Sequence, residues 1–332
     1  MIEKITEAQL EKVITQFDVK ISDYEIINLE KFQGWSSRYL FLIVSSENYL
    51  LKAKSADQLK GYSNAVEISN ALNEKGIKTR LPILTKNKEI FHKDGKYYWS
   101  LMTYLPGSAA HTEEYNEDTV ISLAKQLIKH FNAFPYVENS KSNLKVPTEV
   151  SNMEILNDFY KEKELLAKIG VTENGFETHY KKLAENHGKF LQNINVSTLI
   201  HNDINPRNIL IDHNTKKVVA LIDWDHGVYG NPLKDISDTI SIFYDYLSNA
   251  KANEYKKLFL DNFTSKWFDS IEKELINHAI TFYYTKAKWQ SILFYLGLLK
   301  KYGNSKGEEA RFISEMKHSY DEWSATVDLL TK

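Results

Sequence analysis

Hydrophobic and polar positions alternate differently in the two parts of the chain. Glu7 to Phe17 has helical spacing, and Tyr24–Phe32, Tyr39–Val44 and Asn48–Ala53 read as strands. A helix is expected from Tyr62 to Lys75, closed by Gly76 as its C-cap. Strands Glu89–Phe91 and Tyr97–Tyr104 follow, separated by an Asp94-Gly95 turn, and Leu105-Pro106-Gly107 breaks the pattern. Beyond that break the period becomes 3.6, over Glu117–Phe134, Met153–Lys168 and Phe176–Leu191. A strand-rich island then interrupts the helices at Thr198–Ile200, Asn208–Ile211 and Val218–Ile222, and from Leu233 onward the pattern is helical again. No internal repeat or low-complexity tract is visible. The expected fold class is α+β, with a small antiparallel sheet and one main helix over residues 1–105 and a larger helical part over residues 106–332.

Composition narrows the function. Hydrophobic residues at 42% and charged residues at 26% are those of a globular chain able to bury a core. A formal net charge of -2 offers no general attraction to nucleic acid. The chain has no Cys, which excludes disulfides, thiolate metal sites and a cysteine nucleophile. The amino terminus is charged from Glu3 onward and lacks the apolar stretch of a secretory signal. The longest apolar run, Ile292 to Leu299, is too short to cross a bilayer. A cytoplasmic protein with neither membrane nor nucleic-acid partners is the expectation, and its oligomeric state is left open.

The segment His201-Asn202-Asp203-Ile204-Asn205-Pro206-Arg207-Asn208, followed by Ile222-Asp223-Trp224-Asp225, carries the chemistry. Phosphoryl transfer asks little covalent work of a protein and a great deal of positioning. One carboxylate must orient the attacking hydroxyl and accept its proton, and hard oxygen donors must hold Mg²⁺. Asp203 suits the first role, and Asn208 and Asp223 suit the second. Pairing of the strands that flank the His213-Asn214 turn would return Asp223 to the side of Asn208.

This segment resembles the catalytic loop of the aminoglycoside phosphotransferase and choline kinase superfamily. The family pattern is His-x-Asp-x-x-x-x-Asn, an apolar strand, then Ile-Asp-[Trp/Phe]-[Asp/Glu], and all of it is present. The family's later Gly-[Asp/Asn]-Pro with a nearby Asp is matched by Gly230-Asn231-Pro232-Leu233-Lys234-Asp235. The match is dense from Leu199 to Asp238 and thinner elsewhere. It implies a two-lobed protein-kinase-like fold, ATP or GTP as phosphoryl donor, Mg²⁺ as cofactor and a small-molecule hydroxyl as acceptor. His201 then reads as an organiser of the loop, and Arg207 as a candidate for phosphate contact.

The resemblance also implies roles for the first part of the chain. Lys52 follows two apolar residues, as the family lysine does, and would anchor the α- and β-phosphates. Lys54, on the same strand face, is the alternative. Glu67 on the following helix would fix Lys52. The turn Gly34-Trp35-Ser36-Ser37-Arg38 would cover the phosphates, with Ser36 and Ser37 as donors, although relatives often have two adjacent glycines and an Asn there. Backbone groups near Thr103 and Leu105 would bond the purine.

The acceptor must reach Asp203. Asp225, Asp235 and Asp238 follow the metal loop, and the carboxyl-terminal part is rich in rings. With Trp224 and Trp289 they would suit a cationic acceptor such as an aminoglycoside or choline. Helical aromatics are more often plain core, and the fold serves many acceptors. A protein kinase is disfavoured, because Trp224-Asp225 stands in place of Phe-Gly and no Ala-Pro-Glu follows. A non-catalytic nucleotide-binding protein and a metal-dependent hydrolase are the other readings. The intact Asp203, Asn208 and Asp223 speak against the first, and the absence of paired histidine spacing against the second.

Overall fold

The computed structural model describes residues 5–29, 39–56, 59, 62–109, 115–134, 152–193, 197–264, 268, 273–302 and 308–329. In chain order the elements begin with α1 (Glu7–Ile14), β1 (Glu25–Asn28), β2 (Tyr39–Val44), β3 (Tyr49–Ser55) and α2 (Tyr62–Glu74). Next come β4 (Pro82–Ile83), β5 (His92–Asp94), β6 (Tyr97–Thr103), β7 (Ser108–Ala109) and α3 (Glu117–Ala133). The middle holds α4 (Asn152–Ala167), α5 (Glu173–Asn193), β8 (Thr198–Ile200), β9 (Ile209–Ile211), β10 (Val218–Leu221) and β11 (Val228–Gly230). The chain finishes with α6 (Leu233–Tyr246), α7 (Asn249–Asn262), α8 (Lys273–Tyr302) and α9 (Glu308–Leu329).

The chain divides into two compact units. The first is Met1–Ala133, Lys141–Val146 and Pro206–Gly227, and the second is Phe134–Ser140, Pro147–Asn205 and Val228–Lys332. Grouped by contact, α3 and residues 206–227 therefore join the amino-terminal elements, although they lie beyond the joint expected at residue 105. Side chains of α3 explain this. Ser122 Oγ accepts the Val218 N–H at 2.9 Å, and Thr119 Oγ1 donates to the Lys216 carbonyl at 2.6 Å.

The first unit is built on a sheet of order β1-β2-β3-β6-β4, with β5 also on β6; every pair is antiparallel. Period-2 alternation gives the sheet its two faces. Tyr49, Leu51 and Ala53 of β3 join Phe41, Ile43, Trp99 and Leu101 in a core closed by Leu10, Val13 and Phe17. The alternate positions, Leu50, Lys52 and Lys54, face the other way. Gly76 ends α2 at φ +68, where a side chain would be strained, and the Ile77 N–H bonds the Leu72 carbonyl at 2.9 Å. The strand expected at Glu89–Phe91 is displaced to His92–Asp94. A turn with Lys88 at φ 65 consumes the backbone of Glu89: Thr85 N–H donates to its carbonyl at 2.7 Å, and its own N–H bonds Thr85 Oγ1 at 3.0 Å. The expected Tyr24–Phe32 strand ends at Asn28, and its last positions lie outside the described residues.

The second unit is helical, with β8 and β11 as a two-stranded antiparallel pair. Its core is aromatic. Phe159 and Phe176 stack with centroids 3.9 Å apart, and Trp289 lies 5.1 Å from Phe176 and 5.3 Å from Trp323. Ser237 Oγ bonds the Ile280 carbonyl at 2.7 Å, tying α6 to α8. No described helix is long and apolar enough to cross a membrane.

Candidate active site

The β9–β10 hairpin does what its spacing suggests. Asp212 turns the chain by accepting the N–H groups of Asn214 and Thr215 at 3.0 and 2.8 Å, and β10 then pairs back along β9. The Ile222 N–H donates to the Asn208 carbonyl at 2.9 Å, so Asp223 emerges beside Asn208. Asn208 is buried at the end of a 3-10 turn, Pro206–Asn208. Asp223 is left-handed, at φ 65 and ψ 60, and opens a second 3-10 turn, Trp224–His226. A non-glycine residue in that region is strained and persists only where its surroundings hold it. Trp224 supplies that hold: its ring is buried 4.6 Å from His130, and its Nε1 donates to the Leu221 carbonyl at 3.1 Å.

Two lysines reach this loop from β3. Lys52 Nζ lies 3.3 Å from Asp223 Oδ1, and Lys54 Nζ is hydrogen-bonded to Asp225 Oδ2. Lys54 and Lys52 point to one side of the strand, and the two aspartates are likewise spaced by two. Burial and the neighbouring Lys52 charge push the Lys54 ammonium below lysine's ordinary value, against the pull of Asp225 and Asp223.

Asp203 lies in the second unit, five positions before Asn208 in the sequence. Asn205 Nδ2 donates to its carboxylate at 3.1 Å and to its carbonyl at 3.2 Å. The loop's backbone is held from α6. Asp235 accepts the N–H of His201 at 2.7 Å and of Asn202 at 2.8 Å, and Asn202 sits at φ 62. Asp238 accepts the Ile204 N–H and pairs with the buried Lys234 at 2.5 Å. Burial is the largest influence on both carboxyls: it raises Asp238, and with the charge of Asp238 it pushes Asp235 up to about 7.

The other residues singled out by sequence fall as follows. Lys52 meets Asp223, and Glu67 is exposed, because Ala65, Ile68 and Leu72 turn inward and leave Glu67, Asn70 and Glu74 on the outer stripe of α2. Asp225, Asp235 and Asp238 each have a partner within the protein, namely Lys54, the backbone N–H groups of His201 and Asn202, and Lys234. Trp224 and Trp289 are core residues. The Thr103 N–H is committed to the Leu81 carbonyl at 2.8 Å, and its Oγ1 to the Leu81 N–H at 2.9 Å. Leu105 packs against Leu210, Ala220 and Ile222, on the hairpin that carries Asn208 and Asp223. Ser36 and Ser37 lie outside the described residues. The pairing of Lys54 with Asp225 was not expected, although the equal spacing of the two lysines and the two aspartates was its visible signal.

Asn208 and Asp223 are hard oxygen donors, which fit Mg²⁺ better than softer metals. Among the described residues no group of three or more His, Asp or Glu could hold a metal. Such a donor set suits an ion that completes its shell with phosphate oxygens and water.

The fold and these loops define a phosphotransferase. The chain belongs to the phosphotransferase enzyme family, whose model matches residues 29–262. Its fold is that of solved aminoglycoside and macrolide kinases. A spectinomycin phosphotransferase solved with ADP and spectinomycin superposes with a TM-score of 0.64 at 17% identity, over 99% of this chain and 98% of that one. An aminoglycoside 2'-phosphotransferase-IIIa solved with GDP gives 0.64 at 14% identity, over 97% and 99%. A macrolide 2'-phosphotransferase from Brachybacterium faecium gives 0.59 at 13%, over 94% and 98%. No curated protein matches the sequence.

Proposed function

We propose that this protein transfers the γ-phosphoryl group of ATP or GTP to a hydroxyl of a small molecule. The observation that carries the reading is the 3.3 Å approach of Lys52 Nζ to Asp223 Oδ1, beside the backbone of Asn208. A cation for the α- and β-phosphates and two oxygen donors for Mg²⁺ thus belong to one compact unit. Bound there, Mg²⁺ would spread the charge of the phosphates. Asp203 would accept the proton of the acceptor hydroxyl as its oxygen attacks the γ-phosphorus; the bond to the bridging oxygen breaks, and the nucleoside diphosphate leaves. Asn205 orients the Asp203 carboxylate for that task.

Solved structures of the same fold hold ADP, GDP, spectinomycin or kanamycin, which supports a nucleotide donor and a polar hydroxylated acceptor. A cationic acceptor draws no support from Asp225, Asp235 or Asp238, whose carboxylates are already engaged.

The test is release of ADP or GDP by the purified protein with Mg²⁺ and a panel of acceptors. The panel holds choline, ethanolamine, aminoglycosides, a macrolide, homoserine and amino sugars, with Asp203→Ala run alongside. Acceptor-stimulated release that the variant loses is the expected result and names the acceptor class. Absence of both turnover and Mg·nucleotide binding would overturn the reading in favour of a non-catalytic protein.

A further inference from the structure

We infer that Lys54, which is buried, and Asp225 form a clamp that seats β3 on the metal loop, and that this clamp positions Lys52 and Asp223 for a Mg·nucleotide. The inference rests on the phosphotransferase reading of the same site.

The two ion pairs share a strand and a loop but differ in character. Both lysines come from one face of β3, a strand flanked on either side by β2 and β6, with Lys52 opposite Leu40 and Ser100. Both aspartates come from a turn held by the buried Trp224 ring and by Gly227, whose Cα packs close to Ile68 of α2. The Lys54 side chain is 2% exposed and that of Asp225 19%. The outer pair is wetter and longer, with Lys52 at 13%, Asp223 at 31% and 3.3 Å between them.

That gradient divides the work. The inner pair holds because removing Asp225 would strand the buried Lys54 charge away from water. A pair that water reaches loosens at little cost. Lys52 and Asp223 can therefore exchange each other for phosphate and metal when a nucleotide binds. Lys54 and Asp225 keep strand and loop in register while that exchange occurs. Lys54 and Asp225 are positioning residues that act through Lys52 and Asp223.

Calorimetric binding of ADP to the full chain, with and without Mg²⁺, tests the clamp, with GDP in parallel and thermal unfolding as a check of folding. Asp225→Asn, which preserves shape, and Lys54→Met should each weaken Mg·ADP binding by about 10- to 100-fold, the usual effect of groups that support metal ligands. Metal-free ADP keeps only the Lys52 contact, so it should lose severalfold less than Mg·ADP, and the double variant should be little worse than either single one, as for residues that act as a unit. A folded Asp225→Asn protein that binds Mg·ADP like the parent overturns the clamp. Equal losses with and without Mg²⁺, or additive losses in the double variant, overturn it too. A parent protein that binds neither Mg·ADP nor Mg·GDP instead overturns the phosphotransferase reading, and the clamp falls with it.

Discussion

Lys52 and Asp223 stand 171 positions apart in the chain, yet Nζ of one lies 3.3 Å from Oδ1 of the other. β3 supplies the lysine from the interior of an antiparallel sheet, and the β9–β10 hairpin supplies the aspartate at its return. The backbone of each residue is held by its own element, the strand ladder for Lys52 and the hairpin return for Asp223.

Lys52 should matter for chemistry more than for folding. Its partner Asp223 is about a third exposed, so losing the lysine leaves that carboxylate within reach of water. Lys52→Ala is expected to lower kcat/KM for the nucleotide by about 10²-fold or more, the usual cost of removing an electrostatic stabiliser. Steady-state kinetics with varied nucleotide, beside an unchanged unfolding midpoint, provides the check.

Replacement of Asp203 should separate binding from turnover. A positioned base contributes about 10²- to 10⁴-fold, so Asp203→Ala should lose that much in kcat. The substitution leaves Lys52, Asn208 and Asp223 in place, so Mg·ADP affinity should stay within about twofold. A calorimetric titration of the variant that shows a large loss of affinity would contradict this division of labour.

Asp235 should give stability a specific pH dependence. Its folded-state pKa is raised from 3.8 to about 7, first by burial and then by Asp238, while the N–H groups of His201 and Asn202 and the charge of Lys234 pull it down. The folded protein therefore holds this proton more tightly than the unfolded chain. The resulting stabilisation is fully present below about pH 4 and is lost as pH rises to about 7. Burial shifts Asp238 in the same direction, so part of the slope belongs to it. Denaturant unfolding between pH 4 and 7.5 should show parent stability falling more steeply with pH than that of Asp235→Asn. Parallel curves for the two proteins would rule the effect out.

Trp289 should behave as a core residue. It is 1% exposed between Phe176 and Trp323. Trp289→Ala should cost about 3–5 kcal/mol of stability in denaturant unfolding. At temperatures where the variant stays folded, its nucleotide and acceptor KM values should match those of the parent. A selective rise in acceptor KM would return this ring to the acceptor site.

Much of the architecture was legible because it follows from short-range pattern. Runs of aromatic and aliphatic residues bounded by turns located β2, β3 and β6 to within a residue or two, and the left-handed Gly76 closed α2 where it was expected. Short elements escaped. β4 and β7 are two residues each, too brief for any periodicity, and exist because β6 and β9 offer them an edge. The meeting of Asn208 and Asp223 was legible for a different reason: they flank one hairpin, so sequence spacing nearly dictates that they come together.

What the sequence determined by itself was therefore the order of elements, the family pattern from His201 to Asp225 and the oxygen-donor chemistry it implies. Only the tertiary structure decided who partners whom. It joined Lys52 to Asp223 and Lys54 to Asp225, turned Glu67 outward, and set Asp235 on the backbone of His201 and Asn202. The physical reason is one of range. Backbone periodicity and turn chemistry are written within a few residues, whereas the partner of a charged side chain depends on which face its element buries and which distant segment that burial brings against it.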